Sequence, residues 1–471
     1  MSKQLGFKIK TARRKLNISQ GDLSKKLDIS ASYLNLIESG KRKVSADLLI
    51  KASELLNLDL KKLSSDDNLN LIHDLQELLS DNLFEDLDIT TLEVKDLIET
   101  NPLISKAIIR LGDVYRKKNS EMYDKLEVIS GDNIANSKAT FPGEVVSDFL
   151  QENQNYFPKL EEYANKIFNQ VNRNLRTRHV LLVEYLKKYH KIEVVDVVPK
   201  YDEFYLKKFK PEKKILYLSD YLTLDTKKIY CAAQIVQVEA LELIEEYLKD
   251  YNFPSETAKK LTTISLINYT AAAILMPYKL FYDECRKHRY DLELLQHTFS
   301  VSFEQVAHRV TCLQDPKMKG IPFHMLRTDI AGNISKRLSL SGIQIPRYGG
   351  ACPRWNIHSA FMLPGKIHSA LSKMPDGEKY VCIARTIEKG IGRHGVYRSI
   401  LSIGLGCQAQ YAKDFIYADT LNLKDEASAT AIGVNCRTCP RMDCQQRAFP
   451  PINKNLDINF NNRGPSAYVS S

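Results

Sequence analysis

The sequence predicts a multidomain chain: an all-α bundle of short helices, then an α+β domain, then a second α+β domain that holds a cysteine cluster. Three observations lead there. Apolar residues repeat at helical spacing through residues 5–63, interrupted by side chains suited to helix caps. Runs rich in Val, Ile and Tyr first occur near residue 192, set among long amphipathic segments. Cys436, Cys439 and Cys444 stand close together near the end, in a turn-rich, arginine-flanked stretch. At 471 residues the chain has room for roughly two to four domains.

In the first stretch Leu5, Ile9, Ala12 and Leu16 share one helical face. Ser19 opens a second helix with Asp22 as its capping-box partner, and Leu23 and Leu27 form the buried side. Ser30 caps a third helix that carries Tyr33, Leu34 and Ile37 and stops at Gly40, a residue suited to a left-handed C-cap. A fourth helix over 46–56 closes a bundle spanning 1–63. Two short helices joined by a tight turn form a helix-turn-helix, whose second helix fits the DNA major groove. Charge agrees. Residues 1–63 hold eleven Lys and three Arg against six Asp or Glu, a net of +8 in a chain of net +10. A basic amphipathic helix can also be a solvated face, but the order of caps, turns and lengths favours nucleic acid.

The stretch resembles the Cro/repressor family of helix-turn-helix domains, in ISQGDLSKKL and ISASYLNLIESGKRK. The resemblance puts Gln20 at the start of the second helix, near phosphate. Ser32, Tyr33 and Asn35 fall on the exposed side of the third, near base edges, with Lys41 and Arg42 behind them as backbone clamps. Double-stranded DNA is the expected partner. A homodimer on a two-fold operator is the expected state, because half-sites stand about one DNA turn apart.

Residues 64–101 reverse the sign, with eleven Asp or Glu against one Lys. Leu69, Ile72, Leu75 and Leu79 keep a helical period, so this is an acidic helical connector and not a disordered tail. After Asn101-Pro102 a helix over 103–118 follows, then a polar linker over 119–140. The middle domain, 141–298, reads as helices over 145–151, 157–171 and 177–189, strands over 192–198 and 214–218, and one long helix over 229–247. Helices over 258–275 and 279–290 complete it.

This order, with AAAILMP at Ala271–Pro277, resembles the ImmA/IrrE-like zinc metallopeptidase domain. In that family the long helix carries two histidines four residues apart and a glutamate beside the first. Here Gln234 and Val238 occupy the histidine positions and Ile235 the glutamate position. Gln is a poor zinc ligand, and Val and Ile supply neither ligand nor base. The resemblance therefore implies a peptidase-like fold without peptidase chemistry. Such a domain can sense a ligand or serve as a dimerisation or spacer unit.

The last domain, 299–451, has many Gly and Pro turns, with strands over 380–387 and 398–404. In C-x2-C-x4-C two thiolates of Cys436, Cys439 and Cys444 can converge on one ion. Cys352 and Cys407, both in glycine turns, are candidates for a fourth ligand, whereas Cys231, Cys285, Cys312 and Cys382 read as small core residues. Zinc would make the site a staple and an iron–sulfur cluster a redox or iron sensor; free thiols that only pack are the third reading. The tail over 452–471 is polar and expected to be disordered.

Taken together, AGNISKR, GGACPRWNIHSAF, MPDGEKY and NCRTCPRMDCQQRAFPP resemble the short-chain fatty acyl family of transcriptional regulators, over residues 5–451. That resemblance implies that an acyl-CoA thioester tunes DNA binding. Lys336, Arg337, Arg347 and Arg354 are candidate cations for its phosphates. A metal- or redox-sensing factor and a regulatory metallopeptidase are the rival readings. The N-terminus enters directly into a polar helix, and no apolar run reaches about 18 residues. With nine cysteines, that makes a reducing cytoplasm the expected location.

Overall fold

The computed structural model describes residues 9, 12–13, 18–38, 42, 44–56, 67–79, 84, 87, 89–128, 142–171, 178–198, 205–346, 350–390, 398–451 and 464. Two compact units emerge, residues 1–133 with 449–457 and residues 134–448 with 458–471. Gly40, the helix start at Leu5 and all but Gly464 of the 452–471 tail lie outside the described residues.

In the first unit α1 (Gln20–Lys26), α2 (Ala31–Glu38) and α3 (Ala46–Leu55) form where the sequence predicts helices, although Ser19 Oγ donates to Asp22 Oδ2 instead of the pair forming the expected reciprocal box. The Ser19 hydroxyl accepts from the Asp22 amide, that of Ser30 from the Tyr33 amide and that of Ser45 from the Leu48 amide. Ile9, Leu23, Leu27, Leu34, Ile37, Ala52 and Leu56 close the core of this bundle. The acidic connector is a second small bundle of α4 (Asp67–Leu79), α5 (Thr91–Thr100) and α6 (Pro102–Val128), packed on Leu75, Leu78, Val94 and Ile98. Thr90 and Glu93 form a reciprocal capping box at the start of α5. Helix α6 runs ten residues past the expected end at 118, into the stretch read as a linker. Lys, Glu and Met there keep helix propensity although the large apolar signal thins out.

The second unit opens with α7 (Pro142–Glu152), α8 (Pro158–Val171) and α9 (Arg178–His190). A three-stranded sheet follows, β1 (Glu193–Val197), β2 (Lys207–Lys210) and β3 (Ile215–Ser219), in the order β1-β3-β2. The expected long helix is two: α10 (Leu224–Glu239) and α11 (Leu241–Leu248) break at Ala240, which leaves the helical conformation at φ −123° and ψ 13°. Next come α12 (Glu256–Leu275), α13 (Tyr278–Lys287), α14 (Leu292–Phe299) and α15 (Phe303–Thr311). Among the described residues no single helix is long and apolar enough to cross a membrane. The pair α12–α13 has the composition but bends by 67°, and Leu266 and Ala271–Met276 on it are core residues.

The last region builds a larger sheet than the two strands expected there. It comprises β4 (His324–Thr328), β5 (Ile334–Ser339), β6 (His368–Lys373), β7 (Lys379–Lys389), β8 (Ser399–Gln408) and β9 (Thr430–Ala431), in the order β5-β4-β8-β7-β6-β9. The expected boundary at 298/299 does not separate two cores. A single apolar cluster runs from Phe149 through Tyr269 and Phe299 to Phe323, Val381, Leu405 and Phe415, covering one face of the six-stranded sheet. The other face packs on Trp355, Ile357, Ile432 and Val434. Glu161 and Arg309 join α8 to α15 within the larger core, paired at 2.6 and 2.7 Å and almost wholly buried.

Candidate nucleic-acid interface and cysteine loop

Helix α2 presents a mixed outer face. Ser32 and Asn35 are exposed and Tyr33 is half-buried, whereas Leu34 and Ile37 point into the core. The Arg42 guanidinium lies 5.1 Å from the Tyr33 ring centre, so this tyrosine is tied to a cation that the sequence reading assigned to phosphate. The Ser32 hydroxyl is 3.1 Å from that of Ser30, the cap of its own helix. Lys41 lies outside the described residues.

Gln20 is turned inward more than expected. Its amide donates to Glu38 Oε2 at 3.0 Å, and Glu38 also receives Arg13 Nε at 2.7 Å and Nη2 at 2.9 Å. Arg13 Nη1 donates to the Ile18 carbonyl at 2.9 Å. The hydrogen bonds it donates to Glu38 hold the Arg13 guanidinium above its usual pKa. This cluster locks the angle between the two helices of the reading head. Sequence reasoning missed it, because nothing local links Arg13 to a residue 25 positions on.

The positions where the resemblance calls for zinc chemistry hold none of its groups. Gln234 is fully buried with neither amide atom paired, Ile235 is packed into the core, and Val238 is 43% exposed. Beside them, burial pushes the Cys231 thiol up to about 12 and lowers the Lys207 amine.

The four candidate phosphate cations are not brought together. Arg337 is buried and paired with Glu144 and, at 3.3 Å, with Asp148, so it is already neutralised within the fold. Arg347 lies outside the described residues. Arg354 is half-buried, and its backbone amide bonds to the Cys352 thiol. Lys336 stands in a different setting, with Arg327 and Lys389 around Glu304. Glu304 takes Arg327 at 2.7 Å and Lys389 at 2.6 Å, which leaves the group with excess positive charge. Burial first, and then its cationic neighbours, lower the Lys336 amine, with Glu304 opposing.

Cys352, Cys436 and Cys439 share one neighbourhood, and Cys407, expected as a possible fourth ligand, stands apart from it. In the β7–β8 register Cys407 faces Val381, whereas Cys382 faces Gly406. Side chains alternate between sheet faces, so Cys407 sits in the larger core while Cys352 packs on the opposite side. Cys352 is fastened there: its amide donates to the Val434 carbonyl at 2.8 Å, and Trp355 Nε1 donates to the Gly433 carbonyl at 2.8 Å. Burial raises the Cys352 thiol, the amides of Arg354 and Gly433 oppose that, and the nearby Cys439 and Cys436 add to the rise. Gly433 is required here, since a Cβ would lie 2.8 Å from Cys439 Sγ.

Two arginines that the sequence reading did not single out shape the loop. Arg447 donates to the carbonyls of Cys436 (2.6 Å), Cys439 (2.8 Å) and Arg441, gathering the C-x2-C-x4-C turn around one guanidinium. Arg441 pins the loop to the carbonyls of Ile432, Lys373 and Met374. Cys439 and Cys352 are buried, and Cys436 and Cys444 are half-buried. As they stand, no three His, Cys, Asp or Glu side chains among the described residues converge on a common point.

Comparisons with known proteins cover all three regions. Residues 9–63 match a helix-turn-helix model, 188–311 the IrrE N-terminal-like domain, and 312–468 the C-terminal domain of the short-chain fatty acyl coenzyme A regulator. The chain is 33% identical to the HTH-type transcriptional regulator RamB of Mycobacterium tuberculosis, over 99% of this chain and 98% of that protein. It is 32% identical to the propionyl-CoA carboxylase regulator of Cereibacter sphaeroides, over 98% of each. It is 30% identical to the HTH-type transcriptional regulator PrpR of Mycobacterium tuberculosis, over 99% of this chain and 96% of that protein. A solved structure described as a Mycobacterium tuberculosis transcriptional regulator superposes with a TM-score of 0.67 at 32% identity, covering 70% of this chain and all of that one.

Proposed function

The chain belongs to the short-chain fatty acyl-CoA regulator family of DNA-binding transcription factors, and from that premise we propose that an acyl-CoA of short chain length sets its affinity for DNA. The observation that carries this reading is the match to the acyl-CoA regulator domain over 312–468, in a chain that aligns end to end with its relatives. The excess positive charge around Lys336, Arg327 and Lys389 supports an anionic effector, whose phosphates need cations. Of the four candidate cations Lys336 is the one this reading retains for that role, with Arg354 nearer the cysteines.

At the DNA, Asn35 and Ser32 read base edges, and Arg42 with Lys41 holds the phosphate backbone. The protein acts in the cytoplasm as a homodimer on paired half-sites. It is a regulator and not a peptidase, because Gln234, Ile235 and Val238 supply neither a metal ligand set nor a general base. Titration of labelled operator DNA with propionyl-CoA and acetyl-CoA tests the effector. A change in affinity is expected, and unchanged binding up to millimolar thioester refutes it.

A second reading rests on the cysteine loop. Cys352, Cys436, Cys439 and Cys444 are proposed to hold zinc or an iron–sulfur cluster. Four thiols suit either group, and two of them already lie against Cys352 on one side of the sheet. The amides of Arg354 and Gly433 that bond to Cys352 would stabilise a thiolate ligand. Bound there, the group would supply a structural cross-link or a redox-responsive charge. Metal analysis with an absorption spectrum on protein purified without oxygen separates the outcomes: iron with sulfide, stoichiometric zinc, or neither, the last of which removes the proposal.

A further inference from the structure

Helix α6 has two apolar faces, and the bundle uses one of them. Ser105 and Gly112 are buried and Ile108 and Ile109 pack toward the small core, where a Cβ on Gly112 would lie 2.0 Å from Leu78 Cδ1. The glycine lets α6 seat closely on α4. On the other side Leu103 (62% exposed), Ile104 (53%), Leu111 (70%), Val114 (48%) and Tyr115 (36%) stand in solvent, with Ala107 exposed among them. Ile104, Ala107, Leu111 and Val114 follow the 3-4-3 spacing of a coiled-coil seam, with Ile and Leu at one repeating position and the smaller Ala and Val at the other.

We propose that this stripe is the interface at which a second copy of the chain pairs helix against helix. Three observations favour a second copy as the occupant. The seam is self-complementary in kind, since the bulkier Ile104 and Leu111 alternate with the smaller Ala107 and Val114, as one helix needs to interdigitate with an identical one. Five large apolar side chains and Ala107 are exposed side by side on one helix, a contiguous patch of the kind that marks an interaction surface, unlike apolar residues scattered singly. The stripe also lies in the same compact unit as the reading head, which must be paired to engage two half-sites. The inference rests on the reading that the protein is a dimer and names the surface that makes it one.

The test uses the full-length chain. Sedimentation measures the oligomeric state, and a photo-crosslinking benzoylphenylalanine at position 111 reports what lies against the stripe. The expected result is a covalent dimer in which position 111 is joined to the 102–118 peptide of a second copy. The pair Ile104→Glu and Leu111→Glu should raise the dimer dissociation constant by about 100-fold or more, because each copy would then bury two carboxylates without partners. Both side chains are already exposed, so helix content by circular dichroism should not change. Crosslinks confined to residues 134–448, of the same or a second copy, overturn the proposal. So does an unaltered dissociation constant in the double variant, while leaving the dimer itself standing. A wild-type monomer at micromolar concentration, free and on DNA, would overturn the dimer reading as well.

Discussion

Replacing Glu38 by alanine removes the carboxylate that accepts from Arg13 Nε at 2.7 Å, Arg13 Nη2 at 2.9 Å and Gln20 Nε2 at 3.0 Å. The pair is well shielded, with side-chain exposures of 11% for Arg13 and 2% for Glu38. The substitution strands a buried guanidinium, and breaking one side of such a pair costs about 3–5 kcal/mol. A bundle of this size draws only about 3–5 kcal/mol from its core, so the reading head should sit near its unfolding midpoint. Amide exchange at Leu23, Leu34 and Ile37 should accelerate by two to three orders of magnitude or more, given about 1.4 kcal/mol per factor of ten. Affinity for operator and random DNA should fall together. The companion is Arg13→Met with Glu38→Leu, which replaces both charges by apolar volume and should recover most of the loss. Wild-type exchange in Glu38→Ala, or a double variant no better than the single, would refute the argument.

Within the folded head, Asn35→Ala should cost roughly 1–3 kcal/mol on operator and little on random DNA, whereas Arg42→Ala should weaken both and reduce the salt slope by about one; equal effects from the two in binding titrations would remove that division. Burial holds His324 at a pKa of about 3, below its unfolded value, so its contribution is complete above about pH 6.5 and is lost as pH falls toward 3. Between pH 6.5 and 5.0 the second unit should lose about 2 kcal/mol on this account, and His324→Gln should flatten the slope of stability against pH by that share in urea titrations; an unchanged slope counts against the reading. Gly406→Ala should destabilise by about 1–3 kcal/mol, since a Cβ there lies 2.6 Å from the His324 ring and 2.9 Å from Cys382 Sγ. Gly143→Ala, with nothing within 4 Å, should be neutral or stabilise by up to about 1 kcal/mol in the same urea titrations.

By itself the sequence determined the elements whose causes are local. Ser19 and Ser30 cap the helices they introduce, because a hydroxyl needs only the amide three residues on. The acidic connector was legible as helix from the spacing of Leu69, Ile72, Leu75 and Leu79. The reading head, the peptidase-like order of elements, and the loss of its metal positions at Gln234 and Val238 were equally open to inspection, since each depends on residues within one helix or one turn. Tertiary structure decided what depends on partners far along the chain. Cys407 was a fair fourth ligand until strand register set it beside Val381 on the far face, and a shift of one residue would have reversed that. Arg337 was a plausible phosphate ligand until Glu144, from another element, neutralised it. Arg13 and Glu38, or Glu161 and Arg309, carry no local mark of their pairing, because opposite charges in sequence meet only where the folded chain buries them together. The shared core was hidden for the same reason: the middle helices and the late strands close over one apolar cluster, and burial of apolar surface takes no account of the distance between residues along the chain.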